Sequence, residues 1–406
     1  MFSTNRELRH TDVKYISRLL AIALALQLVP AAYAKKDKNR KKNAEPAQQQ
    51  VKIDTSQLVW PQPPDIARIR YVAELLGDAQ PVSKTPSVRK QGWMDRLAGI
   101  QVQDTTQAKP RHSLAKPYGV VVDSKGKLYV ADSFVGAIFI FNTETKEVSF
   151  IRNGVEARFK TIVGLAIDDN DRLFVVDSAL HQVSVFDKDR KLESKFGAND
   201  LVRPGGAAID VENRFVYVVD TEKENVAVFD ADSFKHLRDI GGHAKKPGDE
   251  DPGTFAKPTN VAVDSEGNVY VTDTMNNRVQ IFDADGNFIS AFGKQGDGPG
   301  TFERPKGIAV DSDGHIWVVD AMQNRVQIFD KEGHLLAYFG EGGSYPGQFG
   351  LPAGVFIDKS NRVFVTEQAK GRVQVFRYIT EAEANAEKEE RAKNRATPQR
   401  ASAVSP

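Results

Sequence analysis

The chain has 406 residues, with 55 Lys and Arg against 54 Asp and Glu, and 40% apolar residues. It contains no cysteine, which excludes disulfides, iron–sulfur clusters, thiolate zinc sites, cysteine nucleophiles and covalently attached haem. The near-neutral charge argues against a nucleic-acid partner, which a basic patch and a high pI would announce.

Read in chain order, the first element is an address. Arg6, Arg9, Lys14 and Arg18 precede the apolar run Leu19 to Val29, and Ala32-Tyr33-Ala34 follows. That order predicts a signal peptide over 1–34, cleaved before Lys35. The run is too short to span a bilayer. The expected location is a bacterial periplasm or the cell exterior, with no membrane span after cleavage. Residues 35–58 open on KKDKNRKKNAEPAQQQ and read as a basic, disordered linker. Residues 59–380 form the folded domain. Residues 381–406 are a charged, disordered tail whose first part, EAEANAEKEERAKNR, can form a helix without an apolar stripe.

Six segments of the domain share one pattern. They begin at Pro117, Ile162, Pro204, Pro258, Pro305 and Pro352; the fifth reads PKGIAVDSDGHIWVVDA. Their first acidic positions are Asp123, Asp168, Asp210, Asp264, Asp311 and Asp358, spaced by 45, 42, 54, 47 and 47 residues. A period of 40–50 with several short strands per unit indicates a propeller. Within a unit, Val261-Ala262-Val263, Val269-Tyr270-Val271, Arg278 to Phe282 and Asn287 to Phe292 read as four strands. Gly267 takes the corner between the first two, as Asn213 and Asn361 do in other units.

The stretch Pro305 to Gly340 (PKGIAVDSDGHIWVVDAMQNRVQIFDKEGHLLAYFG) and the connector Gly293 to Pro305 resemble the NHL repeat, and the resemblance covers nearly the whole domain. It implies an all-β, six-bladed propeller of four antiparallel strands per blade. The last repeat ends at Val373-Gln374-Val375-Phe376 with three strands. Val72 to Gly77 aligns with Phe288 to Gly293, so Arg68 to Gly77 is expected to supply the missing outer strand and close the ring. The connector Asp78 to Lys116 places Trp93, Leu97 and Ile100 on one face of a short helix that could cap the channel mouth.

Little of the chain reads as catalytic. His112, His181, His236, His243, His315 and His334 form no His-x-His pair and no HExxH helix. His315, His334 and His181 fall at turn positions held elsewhere by Asn. The Asp283 and Asp311 corners resemble calcium-loop fragments but lack the remaining ligand spacing, so they read as turns. Asp273–Arg278, Asp320–Arg325 and Glu367–Arg372 are expected ion pairs across the turn between the second and third strands. The residues before the inner-strand glycine are Tyr118, Val163, Gly205, Thr259, Lys306 and Ala353; they should ring the axis at one mouth, and Asn260 stands at a glycine position. Lactonases and amidating lyases of similar shape hold a metal there with carboxylates, Asn or His, and this set is poor in such ligands.

These observations favour a non-catalytic binding platform for a protein, peptide or cell-envelope polymer, monomeric and without a cofactor. The candidate binding residues are Tyr118, Thr259, Asn260 and Lys306 at the channel mouth, and His243, Lys245, Lys246 and Trp93 in the loops. The rival reading is a metal-dependent propeller enzyme of the lyase or lactonase kind. Fold alone does not choose between them.

Overall fold

The computed structural model describes residues 54–78, 112–145, 147–152, 158–243 and 251–396. The signal segment, most of the basic linker, the Trp93 helix, Lys245 and Lys246 lie outside the described residues.

Each repeat begins with an apolar strand that ends near an acidic residue. That carboxylate folds back on the turn after it. Asp264 accepts the Glu266 and Asn268 backbone amides, and Asp311 accepts those of Asp313 and His315. The turn needs one residue in the left-handed region, which Gly267 and Gly314 supply at φ +83°. Asn361 serves in the last repeat at φ +58°. In the third repeat Arg214, not Asn213, takes that conformation, also at +58°. The extra residue of that corner moves the left-handed position on by one, and the freed Asn213 amide donates to Asp210 at 2.8 Å instead.

Five antiparallel sheets follow from five repeats. Blade 1 comprises Pro117–Val122, Lys127–Asp132, Ala137–Asn142 and Val148–Arg152. Blade 2 comprises Ile162–Ile167, Leu173–Asp177, Gln182–Phe186 and Leu192–Phe196. Blade 3 comprises Pro204–Asp210, Phe215–Asp220, Asn225–Asp230 and His236–Ile240. Blade 4 comprises Val261–Val263, Val269–Asp273, Arg278–Phe282 and Phe288–Phe292, and blade 5 Pro305–Val310, Ile316–Asp320, Arg325–Phe329 and Leu335–Phe339.

Blade 6 is built from both ends of the domain. Pro352–Ile357, Arg362–Glu367 and Arg372–Tyr378 are joined by Ile69–Leu75 as the outer strand, and Val59–Trp60 adds a fifth. The closing strand is the expected one, but its register differs by one residue. Tyr71, not Val72, stands opposite Phe376, as Phe288 stands opposite Phe282. Both pairs meet edge-on, at 5.6 and 5.9 Å. A shift by one would turn Tyr71 outward and bury the exposed Val72, so the aromatic contact selects the register.

The core is divided. Six clusters of buried residues lie between neighbouring blades around the ring. The cluster between blades 5 and 6 gathers Trp317, Phe339, Phe349, Phe376 and Tyr378, with Trp60 packed against it. No blade buries both its faces without its neighbours.

Residues Glu381–Ala396 form a helix. Its start is tied to the closure: Arg68 pairs with Glu381 at 2.7 Å, and the Glu381 amide donates to Asp313 at 2.9 Å. Among the described residues no helix is long and apolar enough to cross a membrane.

Candidate functional site at the axial mouth

Connectors from one blade to the next enter the inner strands on one face, which we term the upper face. The turns between second and third strands return to it. In every blade the acidic residue ending the second strand is buried, and in blades 1 to 5 this aspartate caps the incoming connector, whereas Glu367 of blade 6 accepts from Arg372 and Gln374. Asp132 accepts the amides of Ala115 and Lys116, Asp220 those of Val202 and Arg203, and Asp320 those of Glu303 and Arg304. These carboxylates are consumed by backbone donors and offer little to a ligand.

Two of the three expected ion pairs form: Asp273–Arg278 and Glu367–Arg372, both at 2.9 Å. Asp320–Arg325 does not. Asp320 already accepts four backbone amides, from Glu303, Arg304, Met322 and Gln323. Arg325 is drawn instead over the ring of Tyr338 on the outer strand, 5.5 Å from its centroid.

At the axis the structure brings together Tyr118, Asn260 and Lys306. Blades 1 and 4 are opposite one another, yet the Asn260 amide donates to the Tyr118 hydroxyl at 3.4 Å. The Lys306 ammonium of blade 5 lies over the Tyr118 ring, 5.7 Å from its centroid. Burial lowers the Lys306 pKa, and the nearby Arg304 charge lowers it further. Burial also raises that of the Tyr118 phenol, while the Asn260 hydrogen bond acts against the rise.

Asn260 fits because blade 3 carries two glycines at the facing position. A Cβ on Gly206 would come within 2.2 Å of the Asn260 Oδ1. The sequence signal for this contact is the pair Gly205-Gly206 beside an Asn at a glycine position. Below the three polar groups runs an axial cavity of about 210 Å³. Val121, Ile167, Ile209, Val263, Val310 and Ile357 are among the side chains that line it.

The other candidates lie apart from this cluster. The Thr259 hydroxyl turns into its own blade, toward Thr272 and Thr274 at 3.2 and 2.8 Å. Ala353 is fully buried. His243 is exposed and pairs with Glu224 of blade 3. The upper face also exposes Phe134, Met275 and Met322, which share one turn position in blades 1, 4 and 5.

Metal ligation does not fit the axial groups. The mouth supplies a phenol, an amide and an ammonium, where calcium asks for six or more oxygens and zinc for nitrogen or carboxylate donors. His112 is engaged with Asp78 at 3.1 Å and stacks near Phe150, far in the ring from His243. Asp330, Glu332 and His334 do converge, on the lower turn of blade 5, but there His334 closes its own turn on Asp330.

Comparison with known proteins agrees with the architecture. A family described as a 6-bladed beta-propeller matches residues 254–326. A probable peptidyl-α-hydroxyglycine α-amidating lyase of Caenorhabditis elegans is 34% identical over 109 residues, 27% of this chain and 30% of that protein. Protein lin-41 of the same organism is 58% identical over 38 residues, 9% of this chain and 3% of that one. The chain thus spans less than a third of either curated relative. Among solved structures, a gluconolactonase from Xanthomonas campestris superposes with a TM-score of 0.51 at 16% identity, over 65% of this chain and 86% of that one. At that identity the likeness concerns the fold.

The chain is therefore a six-bladed β-propeller. Its blades are consistent with NHL-type repeats.

Proposed function

We propose that the protein is a non-catalytic binding platform for a protein, peptide or cell-envelope polymer, held on the upper face of the ring. We further propose that it works in the periplasm or outside the cell, once the signal segment is removed. The observation that carries the reading is the character of that face. Phe134 is 75% exposed and Met275 54%, with Met322 at the same turn position, around a mouth bearing a phenol, an amide and an ammonium. Exposed apolar side chains beside convergent polar groups on a rigid scaffold are the usual composition of a recognition surface. The inner strands hold their polar groups in place, while the buried aspartates of blades 1 to 5 are already spent on connectors.

The test is capture from envelope extract of the host by the protein and by a Phe134→Ser, Met275→Ser, Met322→Ser variant. A partner retained by the parent and lost by the variant is expected. Equal capture by both would remove the upper face from the proposal.

A second reading draws on the resemblance to the amidating lyase over 109 residues: a metal-dependent enzyme of the lyase or lactonase kind. Stoichiometric zinc or calcium in the purified protein, lost together with a lyase or lactonase activity on chelation, would favour it over the platform.

A further inference from the structure

Residues 51–380 carry net −5, and the turns of the lower face set acids beside bases, Asp169 pairing with Arg214 and Glu266 with Lys331. The rim of the upper mouth instead gathers cations, most of them without an ion partner among the described residues. Lys116, Arg203, Lys257 and Arg304 each stand immediately before the leading proline of an inner strand, and Lys160 stands two residues before Ile162, which opens the inner strand of blade 2. All five are exposed. Lys257 is matched by Glu222 at 3.3 Å and by Glu224. The structure gives Lys116, Lys160, Arg203, Arg304 and Lys306 no ion pair among the described residues, although Glu303 is the sequence neighbour of Arg304.

The hydrogen-bond inventory of the axial cluster is equally one-sided. The Tyr118 hydroxyl accepts from Asn260, which leaves its own proton free to donate. The Lys306 ammonium has three N–H groups and no acceptor among the described residues, only the face of the Tyr118 ring. The second proton of the Asn260 amide is also unused. A cluster that offers donors and positive charge, set in a half-buried mouth, is complementary to a group that only accepts.

We infer that the upper axial mouth binds an anionic group, a carboxylate or phosphate, received by Lys306, Tyr118 and Asn260 and steered by the rim of cations. The inference rests on the proposal that the upper face is the recognition face and names the chemistry it recognises at its centre. The unpaired cations of the rim raise the local concentration of an anion at the mouth. The Lys306 ammonium then gains the counter-charge that the fold does not supply, so a ligand with a neutral head loses the main attraction.

The experiment is calorimetric titration of the full-length protein with inorganic phosphate and, separately, with citrate as the carboxylate probe, with glycerol as the neutral control. Saturable one-site binding of phosphate or citrate is expected, with none for glycerol; which anion binds identifies the chemistry. Lys306→Met should weaken it about tenfold or more, since a charge-assisted hydrogen bond is lost. Lys306→Arg should retain it, Tyr118→Phe should weaken it less, and Lys331→Met on the lower face should leave it unchanged. Thermal melts confirm that each variant is folded, and Tyr118→Phe carries the test if Lys306→Met is not. The inference is overturned if neither anion binds, or if Lys306→Met and Tyr118→Phe both bind as the parent does. Partner capture distinguishes the two readings. A Lys306→Met protein that still captures its partner, in the absence of anion binding by the parent, would leave the platform standing and remove the anion site.

Discussion

Blades 4 to 6 grip their incoming connectors with side chains that blades 1 to 3 do not have. In each of the former, a glutamine on the third strand accepts one connector amide and donates to the next carbonyl. Gln280 does so with Gly253 and Thr254 at 3.0 and 2.8 Å, Gln327 with Gly300 and Thr301 at 2.7 and 2.8 Å, and Gln374 with Gly347 and Gln348 at 2.9 and 2.7 Å. Phe139, Ser184 and Ala227 occupy the same position in blades 1 to 3. The connectors of blades 4 to 6 also fold back on themselves through short parallel pairings: Gly242–His243 with Thr254–Phe255, Gln295 with Phe302, and Gly342 with Phe349. What all six blades share is a buried carboxylate at the end of the second strand, which caps the connector in blades 1 to 5. The difference teaches which features make the ring and which furnish one half of it. The buried carboxylate and the inter-blade core are common to every blade; the glutamine clamps fix the upper loops of one half.

The largest test removes the contact that unites the halves. Deleting residues 54–78 takes away the outer strand of blade 6, Trp60 and Tyr71, and leaves the edge of Arg372–Tyr378 unpaired. A cooperative thermal transition should be lost; a deletion protein that melts like the parent would show that blade 6 stands on three strands.

The arginines sharpen the comparison next. Arg372 bonds to Glu367, Glu74 and the carbonyls of Ser344, Tyr345 and Gln348. Arg372→Met strands a buried carboxylate and should cost about 3–5 kcal/mol in denaturant unfolding. Arg325→Met, which breaks no ion pair, should cost less than about 1 kcal/mol. Equal losses at the two sites would refute the distinction drawn between them.

The glutamines come third. Gln327→Ala removes two hydrogen bonds to a connector and should cost about 1–3 kcal/mol. Ser184→Ala, at the same position in blade 2, should stay within about 1 kcal/mol. Native-state hydrogen exchange should show the Gly300 amide opening in the first variant alone.

The smallest effect is a pH dependence. The hydrogen bond to Asp311 raises the pKa of His315 above 6.5, against the opposing effect of burial. The native state then holds that proton more tightly than the unfolded chain does. Its stabilisation is present in full below pH 6.5 and is lost as pH rises through the folded value. His315→Asn, which copies Asn268 of blade 4, keeps the turn and should flatten this part of the melting profile; an unchanged slope would assign it to another group.

Much of this architecture was legible because it is written locally and repeated. The acidic corner, the left-handed residue after it and the alternation of apolar strands need only neighbours in sequence. The closing strand was found by the same means, since Ile69–Leu75 looks like the outer strands of other blades. Its register was not, because Tyr71 and Val72 are both apolar and only the packing of Tyr71 on Phe376 distinguishes them. The Asp320–Arg325 pair failed for a related reason: a five-residue spacing allows the pairing, but Tyr338 competes for the guanidinium from another strand.

The candidate site divides in the same way. The inner-strand alignment pointed to Tyr118, Asn260 and Lys306 singly, since position along the strand determines which residues stand at the mouth. That the first two touch across the ring, and that Lys306 lies on the Tyr118 face, depends on the diameter set by six blades and on the space left by Gly206. The sequence by itself determined the repeat, the number of blades and the strand that closes them, because those follow from periodicity and hydrogen-bonding habit. Only the tertiary structure decided which side chains meet at the axis and which guanidinium keeps its carboxylate. The axial contacts join residues separated by up to 188 positions, here Tyr118 and Lys306, and no local pattern encodes such distances.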